Sequence, residues 1–518
     1  MEERLIAALD QGTTSTRVIV FTETGHAVAS FQREMVTEAP EPGHVEQDPD
    51  LFENNAKECF SKCVEQLKEK GIDPSRVVTI GITNQRETTI LFDRKTGKPV
   101  YNALVWSDAR TADIAQTLKK KKGADRVQHL CGLPISTYFA GVKVRWLVDN
   151  VPEAKEVYER GDLAFATVDS WILYRLTGGN HVTDVTNASR SMFMNIEKLK
   201  YDDELIEFFG VEKLVLPEIR PSSGYFGDMK EGFPLAGTPI RGCIGDQSSA
   251  LIGHFGFSQG DVKNTYGTGC FLLYNTGKEC VRSENGLIST LLFQDEDKNT
   301  LYALEGSVAV AGSVIKWFKN NVGLIELSSQ IGELAEQVED NGGVSFVTAF
   351  SGLFAPYWNE HATGTIVGLT HFSEAGHLAR AAIEAVCFQT RAILDTMVRE
   401  SGTKFTQLRV DGGMTASDIT MLTQANILGI DVVRPAMREP TALGAALTAG
   451  LAHGVWKNWE DAKKSMAHLS KATKFAPEWD AELREYEYAR WTLAVEAASV
   501  YGDRLQELKE WGTQRAQK

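Results

Sequence analysis

The stretch LIAALDQGTTSTRVIVF, residues 5–21, decides the fold of this chain. An apolar run ends at Asp10, a glycine and several hydroxyl side chains follow, and a second apolar run begins. The pattern predicts a strand, a turn at Gly12 and a second strand. Successive N–H groups in such a turn can bind an anion, and Asp10 could hold a Mg²⁺ ion that bridges phosphate oxygens. An ordinary hairpin explains the same residues equally well.

The stretch matches neither of two common nucleotide-binding patterns. It lacks both GxxxxGK[ST] and GxGxxG, and a strand rather than a helix is predicted after the glycine. A nucleotide bound at this turn would therefore be held by a hairpin-type phosphate loop.

Length and charge limit the classes of protein to consider. A chain of 518 residues is long enough for two or three domains, and its 43% of hydrophobic residues is typical of a folded protein. The formal net charge of −15 argues against a nucleic-acid partner, which requires a basic face. An anionic nucleotide must then be bound locally, by backbone N–H groups, hydroxyls and a cation.

The cysteines and the N-terminus indicate the compartment. The seven cysteines are scattered without CxxC spacing, which disfavours disulfides and structural zinc. No apolar segment approaches the length of a membrane span, and the first residues do not resemble a secretion signal. We expect a cytoplasmic protein without a membrane span.

The first half of the chain alternates between extended and helical patterns. Asp48 and Pro49 are typical of a helix start, and apolar residues at helical spacing continue to about Lys70. VVTIGIT (77–83) predicts a buried strand, and TTILFDRKTGKPV (88–100) predicts a hairpin. This mixture favours mixed sheets covered by helices.

The pattern restarts near residue 240. PIRGCIGDQ (239–247) predicts a strand that ends at Asp246, and DVKNTYGTGCFLLYNTG (261–277) repeats the opening strand, turn and strand. RVDGGMT (409–415) adds a third glycine turn. Two similar domains whose glycine turns face one cleft would explain all three turns. We place the domains at 1–254 and 255–518, with a long, structural helix following about Pro477.

Several motifs resemble the FGGY carbohydrate kinases. YFAGVKVRWLVDN (138–150) is similar to the first family signature, and GTIVGLTHFSEAGHLARAAIEA (364–385) to the second. Further stretches resemble the members that phosphorylate glycerol: DQGTTSTR, ITNQRETT, VWSDART, IGDQSSALIG, KNTYGTGCF, FSGLFAPYW and RVDGG. The resemblance spans residues 5–460. It implies an α/β fold of two ribonuclease-H-like domains of the actin and hexokinase type, with mixed sheets flanked by helices and a cleft between the domains.

The resemblance also implies an activity. ATP, with Mg²⁺, would phosphorylate a terminal hydroxyl of glycerol to give sn-glycerol 3-phosphate and ADP, and the enzyme would be a homo-oligomer, with a dimer favoured. Two other hypotheses stay open at this point. One is a kinase for a longer polyol or a ketose; the other is a non-catalytic nucleotide switch of the chaperone or actin kind.

Asp246 is the candidate general base. Phosphoryl transfer depends on positioning, on neutralising charge and on a group that accepts the proton of the alcohol. A carboxylate at a strand end can take that proton from a nearby hydroxyl. Asp246, acting through water, and Asp10 are also the candidate metal ligands. A helix N-cap is the alternative interpretation of Asp246.

Arg86 and Glu87 are candidates for holding vicinal hydroxyls, because they offer donors and an acceptor side by side. A surface ion pair on a strand is the alternative. By resemblance, Trp106 and Phe271 form the apolar wall of the acceptor site. The full set of acceptor-binding residues that the resemblance implies is Arg86, Glu87, Trp106, Tyr138, Asp246, Gln247 and Phe271.

The resemblance assigns nucleotide contacts to three loops. Lys316 stands where glutamine is usual in this family, and Ser417 where asparagine is usual. The implied nucleotide-binding residues are Thr13, Thr14, Ser15 and Arg17 at the first loop, Thr268 at the second, Gly312 and Lys316 at the nucleoside, and Gly413 and Ser417 at the third loop.

Overall fold

Two large mixed sheets, five small sheets and their covering helices make up the computed structural model, which describes residues 3–437 and 439–516. The strands are β1 Leu5–Gln11, β2 Ser15–Thr22, β3 Ala27–Glu34, β4 Glu46–Gln47, β5 Val77–Asn84, β6 Ile90–Asp93, β7 Lys98–Pro99, β8 Ala103–Leu104, β9 Leu163–Ala166, β10 Val182–Asp184, β11 Met194–Asn195, β12 Lys200–Tyr201, β13 Glu218–Arg220, β14 Ser223–Asp228, β15 Pro239–Gly245, β16 Val262–Tyr266, β17 Cys270–Gly277, β18 Ile288–Gln294, β19 Thr300–Val308, β20 Ser345–Val347, β21 Thr365–Val367, β22 Gln407–Asp411, β23 Asp431–Pro435 and β24 Ala472–Phe475. The helices are α1 Pro49–Glu69, α2 Ala112–Lys119, α3 Ala124–Cys131, α4 Ala140–Asn150, α5 Pro152–Glu159, α6 Val168–Thr177, α7 Val185–Ala188, α8 Asp203–Phe209, α9 Asp246–Gly253, α10 Gly312–Trp317, α11 Gln330–Ala335, α12 Ala375–Ser401, α13 Asp418–Leu428, α14 Pro440–Ala452, α15 Trp459–Ser465 and α16 Ala481–Ala516.

The second large sheet repeats the plan of the first. The first has the strand order β14-β15-β5-β1-β2-β3, and the second has the order β18-β19-β17-β16-β22-β23-β24. In each, an antiparallel meander (β1-β2-β3, or β16-β17-β19) continues through two parallel strands to an antiparallel edge strand. The predicted pair of similar domains is confirmed at the level of strand order.

Local signals produce the predicted elements of the first half. The Asp48 carboxylate accepts from the N–H of Asp50 and caps α1, and Pro49 occupies its first turn. The predicted strand at 77–83 is β5, and the predicted hairpin contains β6 and β7. Cys59 and Cys63 are buried on the inner face of α1, where they pack as small core residues.

Helices α9 and α14 cross between the two sheets. α14 comes from the second half of the chain but packs on β1, β5 and β15 of the first sheet. The crossing is so close that a Cβ atom at Gly444 would overlap the backbone carbonyl of Ser249, and one at Gly253 would overlap that of Pro440. Glycine is therefore required where the two helix backbones meet.

The long C-terminal helix packs on the second half of the molecule. Trp491, Ala494, Val495 and Ala498 of α16 are buried in the core that also contains residues of α12 and α13. This agrees with the structural helix predicted after Pro477. Within the described part of the chain, no helix combines the length and apolar character needed to cross a membrane.

A buried ion network joins the two halves. Glu305, on β19, accepts hydrogen bonds from Arg86 at 2.6 and 3.1 Å and from Arg190 at 3.0 Å. Burial alone would raise the pKa of Glu305, but Arg190 and Arg86 outweigh it and hold the pKa at about 2. The two arginines come from the first half of the chain, so the network crosses from one half to the other.

Replacing Gly444 by alanine is expected to lower the free energy of unfolding by about 1–3 kcal/mol, because the added methyl group overlaps packed backbone. Urea unfolding followed by circular dichroism measures the change. Gly413→Ala is the matched control, since no atom lies within 4 Å of a Cβ built there. Equal stability of the two variants would contradict the described packing.

Replacing Glu305 by glutamine is expected to lower the free energy of unfolding by about 3–5 kcal/mol at pH 7, because two buried arginines lose their shared carboxylate. The pKa of Glu305 is depressed, so its contribution is present above the ordinary value of 4.5 and is lost as pH falls towards about 2. The Glu305→Gln variant should therefore lose less stability than the wild type over that range. Urea unfolding at stepped pH measures both effects.

The control is Glu153→Gln on the exposed side of α5, which is expected to change the free energy of unfolding by less than about 0.5 kcal/mol. If the Glu305→Gln variant proved as stable as this control, the network would contribute nothing to the junction.

Candidate active site

Strand register brings three predicted parts of the site to one edge of the first sheet. β1 and β15 both run parallel to the central β5, and Gln11 and Gly245 both pair with Asn84. The chain therefore leaves the three strands at the same level. The first glycine turn, the Arg86 segment and Asp246 follow these three positions, where ligands are expected because the carboxyl ends of parallel strands meet there.

The second sheet brings its two loops together in the same way. β16 runs parallel to β22, with Thr265 paired to Asp411. The turn at 267–269 and the turn at 412–415 follow, and a Cβ atom at Gly412 would lie 2.5 Å from the carbonyl of Tyr266. Its φ of 92° also favours glycine. The predicted second and third nucleotide loops are thus neighbours.

Asp246 is the first residue of α9 and lies beside Arg86. Arg86 Nε is 3.2 Å from Asp246 Oδ1, and the Asp246 side chain is 28% exposed. The helix N-cap is Gly245, so the alternative interpretation of Asp246 as an N-cap is wrong. Asp246 Oδ1 also accepts a hydrogen bond from the backbone N–H of Gln247 at 2.7 Å. The carboxylate is therefore held by a guanidinium and a backbone amide, and it stays accessible to solvent.

Arg86 and Glu87 do not form the surface ion pair that was the alternative interpretation. Both are buried, and each has its own partner. Arg86 is bound by Glu305, whereas the Glu87 carboxylate accepts from Arg190. Burial raises the pKa of Glu87, although Arg190 and Arg86 oppose the shift. The pair is a preorganised set of donors and acceptors at the base of the site.

Aromatic side chains from both halves meet next to this network. The Trp106 ring packs edge-to-face against Tyr138, with centroids 5.7 Å apart, and against Phe271 at 6.0 Å. Phe271 lies on β17 of the second sheet, so the predicted apolar wall is built across the junction. The pKa of Tyr138 is raised, mainly by burial, so its phenol stays protonated and can donate.

Gln247 contacts a lysine that the sequence analysis did not identify. The buried Lys263 of β16 donates to Gln247 Oε1 and to Thr265 Oγ1. Burial lowers the pKa of Lys263, while Asp411 and Asp246 raise it. Lys263 therefore places a cationic group of the second half close to Asp246.

The first glycine turn is closed by a hydrogen bond from the N–H of Gly12 to the carbonyl of Ser15 (2.9 Å). Thr14 is exposed at its tip, and Thr13 and Ser15 are half-buried. The Trp106 indole N–H donates to Thr13 Oγ1 at 3.0 Å. This turn and the aromatic wall are therefore in direct contact.

Arg17 lies opposite Asp10 in the β1–β2 register but turns to other partners. It donates to Gln32 Oε1 at 2.9 Å and forms an ion pair with Glu439, just before α14. Burial raises the pKa of Asp10 to about 7; Arg17 opposes this, and Asp246 and Glu439 add to it. Asp10 and Asp246 thus repel one another across the site.

The second and third loops meet at the start of α10. The N–H of Gly312 donates to the carbonyl of Gly267 (2.9 Å), and Thr268 accepts from the N–H groups of Ala311 and Ser313. The space where Gly312 lacks a side chain adjoins Met414, the neighbour of Gly413. Predicted residues of the two loops are therefore brought together.

Lys316 lies on α10, and Ser417 lies at the start of α13, the helix that follows the third loop. Lys316 is exposed, one helical turn beyond Gly312 on α10. The Ser417 hydroxyl caps α13 and accepts from Thr420. The structure accounts for Ser417 by capping alone, so its nucleotide contact, like that of Lys316, stays a prediction.

Sequence reasoning missed Arg190, Glu305, Lys263 and Lys143, all of which are buried around the predicted residues. Each is a charge within an apolar or small-residue stretch, such as LYALEGSVAV around Glu305. A buried charge of this kind requires a partner, and that signal could have marked them as candidates.

The two halves of the chain match the two parts of one protein family. Residues 5–253 match the FGGY family of carbohydrate kinases, N-terminal domain, and residues 262–453 match its C-terminal domain. A glycerol kinase from Clavibacter michiganensis is 48% identical over 499 residues, which are 96% of this chain and 98% of that one. A glycerol kinase from Chloroflexus aggregans is 47% identical over 493 residues, with 94% and 97% covered.

Solved structures agree with this assignment. The glycerol kinase of Plasmodium falciparum with ADP has a TM-score of 0.90 at 37% identity, and the match covers 96% of this chain and 98% of that one. A xylulose kinase from Lactobacillus acidophilus has a TM-score of 0.84 at 22% identity, with 96% and 98% covered, which extends the likeness of fold. The predicted two-domain kinase fold is confirmed, and the chain belongs to the FGGY family of carbohydrate kinases.

Proposed function

We propose that this protein transfers the γ-phosphoryl group of ATP to a terminal hydroxyl of glycerol, giving sn-glycerol 3-phosphate and ADP. The observation that carries the proposal is the accessible Asp246 carboxylate, held 3.2 Å from Arg86 where the two sheets meet. The relatives named glycerol kinase, which match nearly the whole chain, support the choice of acceptor.

Asp246 is the general base of this proposal. The acceptor oxygen attacks the γ-phosphorus, the bond to the bridging oxygen of ADP breaks, and the hydroxyl proton passes to Asp246. Arg86 orients the carboxylate through Nε while its two terminal nitrogens stay bound to Glu305. The base is thereby fixed in place before the acceptor arrives.

The surroundings of Arg86 favour a small polyol. Glu87 and Arg86 offer an acceptor and donors for adjacent hydroxyls, and the Tyr138 phenol is a further donor. The rings of Trp106 and Phe271 pack edge-to-face, with centroids 6.0 Å apart, and would form one apolar wall against the carbon skeleton. The bulk of these two rings favours a short acceptor over a longer one.

The nucleotide is assigned to the three glycine turns. Hydroxyls and N–H groups at Thr13, Thr14 and Ser15 are proposed to bind its phosphates, together with Thr268 and Gly413. The adenosine side is assigned to Gly312 and Lys316. The second and third turns are neighbours, and the first is connected to the second half through Trp106, which binds Thr13 and packs on Phe271. These contacts support a single site, although Arg17 would have to leave Glu439 to join it.

Asp10 and Asp246 are suited to hold Mg²⁺. Asp10, whose pKa is raised by burial and in part by the charge of Asp246, and Asp246 itself offer the hard carboxylate oxygens that this ion prefers. The ion would neutralise charge on the transferred phosphoryl group.

The domain boundary, the compartment and the assembly complete the proposal. We keep the boundary at 254/255, with the N-terminal domain on the acceptor side and the C-terminal domain on the nucleotide side. All seven cysteines are unpaired and six are buried, which supports a reducing, cytoplasmic setting. The homodimer stays a prediction.

ADP release with and without glycerol, followed by a coupled assay, tests the proposed reaction. We expect glycerol to accelerate ADP release by at least about 100-fold, because the site is completed only when an acceptor occupies it. Erythritol and xylulose should be poorer acceptors. Faster turnover with xylulose would indicate the longer-acceptor kinase, and glycerol-independent hydrolysis without calorimetric binding of glycerol would indicate a nucleotide switch.

Asp246→Asn is expected to lower kcat by about 10²–10⁴-fold, because the amide cannot accept the hydroxyl proton. Glycerol should still bind with an affinity within a few-fold of the wild type, measured by calorimetry. The control is Asp297→Asn at an exposed turn, which should leave kcat unchanged. Near-wild-type turnover of the Asp246→Asn variant would remove Asp246 as the base.

A further inference from the structure

Lys143 is a buried lysine that the proposed mechanism does not use. It lies on α4 with no exposed surface, and its Nζ points back to the turn that precedes the helix. The ammonium donates to the carbonyls of Thr137 at 2.5 Å and Tyr138 at 2.8 Å, and it lies 3.4 Å from the carbonyl of Trp106. A single cation therefore ties together two separate segments of the chain.

These two segments carry the aromatic wall of the acceptor site. The rings of Trp106 and Tyr138 pack edge-to-face directly beyond the backbone that Lys143 binds. Trp106 in turn donates to Thr13 in the first glycine turn. Any change in the position of the Trp106 backbone is thus passed on to both the acceptor wall and the phosphate loop.

We propose that Lys143 is a positioning residue of the acceptor site, whose ammonium sets the spacing of the Trp106 and Tyr138 rings and thereby the affinity for the polyol. The inference rests on the proposed function, because it concerns the same acceptor.

The surroundings of Lys143 favour the neutral amine more than water does. Burial lowers the pKa of Lys143 to about 7; the carboxylates of Glu87 and Asp108 oppose the shift, and the guanidinium of Arg110 adds to it. A neutral amine has two N–H donors and cannot bind three carbonyls. Below pH 7, Lys143 should be charged and should keep all three carbonyl contacts. As pH rises above 7, Lys143 should lose its charge and one of these contacts.

The kinetic test compares the KM for glycerol and kcat between pH 6 and 9. In the wild type, KM is expected to rise several-fold from pH 6 to pH 9. The kcat at saturating glycerol should instead depend on the ionisation of groups other than Lys143. Asp10 also titrates in this range, so the comparison with Lys143→Met, which cannot titrate, isolates the lysine. In that variant, the KM for glycerol should be about 10-fold higher than in the wild type at pH 6.5. It should lack the part of the rise with pH that is caused by Lys143.

A second variant and a control complete the design. Lys143→Arg keeps a permanent charge, and its KM should be lower than that of Lys143→Met and should lack the lysine-dependent rise with pH. Lys155→Met, on the exposed side of the next helix, should behave like the wild type. A KM for Lys143→Met equal to that of the wild type at every pH would overturn the proposal.

A readout without turnover separates this inference from the proposed reaction. The fluorescence difference between the wild type and a Trp106→Phe variant reports the surroundings of the Trp106 ring. We expect it to change between pH 6 and 8 in the wild-type background and to stay constant when Lys143→Met is added to both proteins. A constant difference in the wild-type background would overturn the inference, whereas absence of glycerol-dependent ADP release would overturn the proposed function.

Discussion

The buried carboxylate of Glu305 is the contact on which both the junction and the site depend. It is 1% exposed, and it binds Arg86 and Arg190, which are themselves almost fully buried. Removing these charges from water is costly, and only their mutual contacts make the arrangement stable. The same contacts occupy two of the three nitrogens of Arg86, so that Nε alone faces Asp246. The same ion network therefore holds the two halves together and orients the base.

The packing around this contact limits how the halves can move. At the crossing of α9 and α14, Gly444 and Gly253 bring backbone against backbone, so the helices have no space in which to slide. A rotation about the crossing, unlike a slide, would not drive one backbone into the other, and it would bring the two sets of glycine turns together or apart. Such a rotation would let glycerol complete the site and keep water from acting as the acceptor, which is the benefit of domain closure in kinases.

The sequence was sufficient where the cause of structure is local. Gly12, the Asp48 cap and the apolar runs each act within a few residues, so the opening hairpin, α1 and β5 were predicted with nearly correct bounds. The partner of Arg86 could not be predicted, because Glu305 lies 219 residues away and no local pattern connects them. The family resemblance supplied the candidate residues, but not the network that holds them.

Burial and hydrogen bonding separate structural acids from a usable base, which composition cannot do. Asp169 and Asp184 lie with Cys243 in a buried cluster, but hydroxyl donors already satisfy their oxygens: Thr183 binds Asp169, and Ser222 binds Asp184. Such carboxylates stabilise the fold and have little capacity left for a ligand. Asp246, by contrast, forms an ion pair with Arg86 and keeps an accessible carboxylate. A proton acceptor needs both features, because it must be held in place and still reach its substrate.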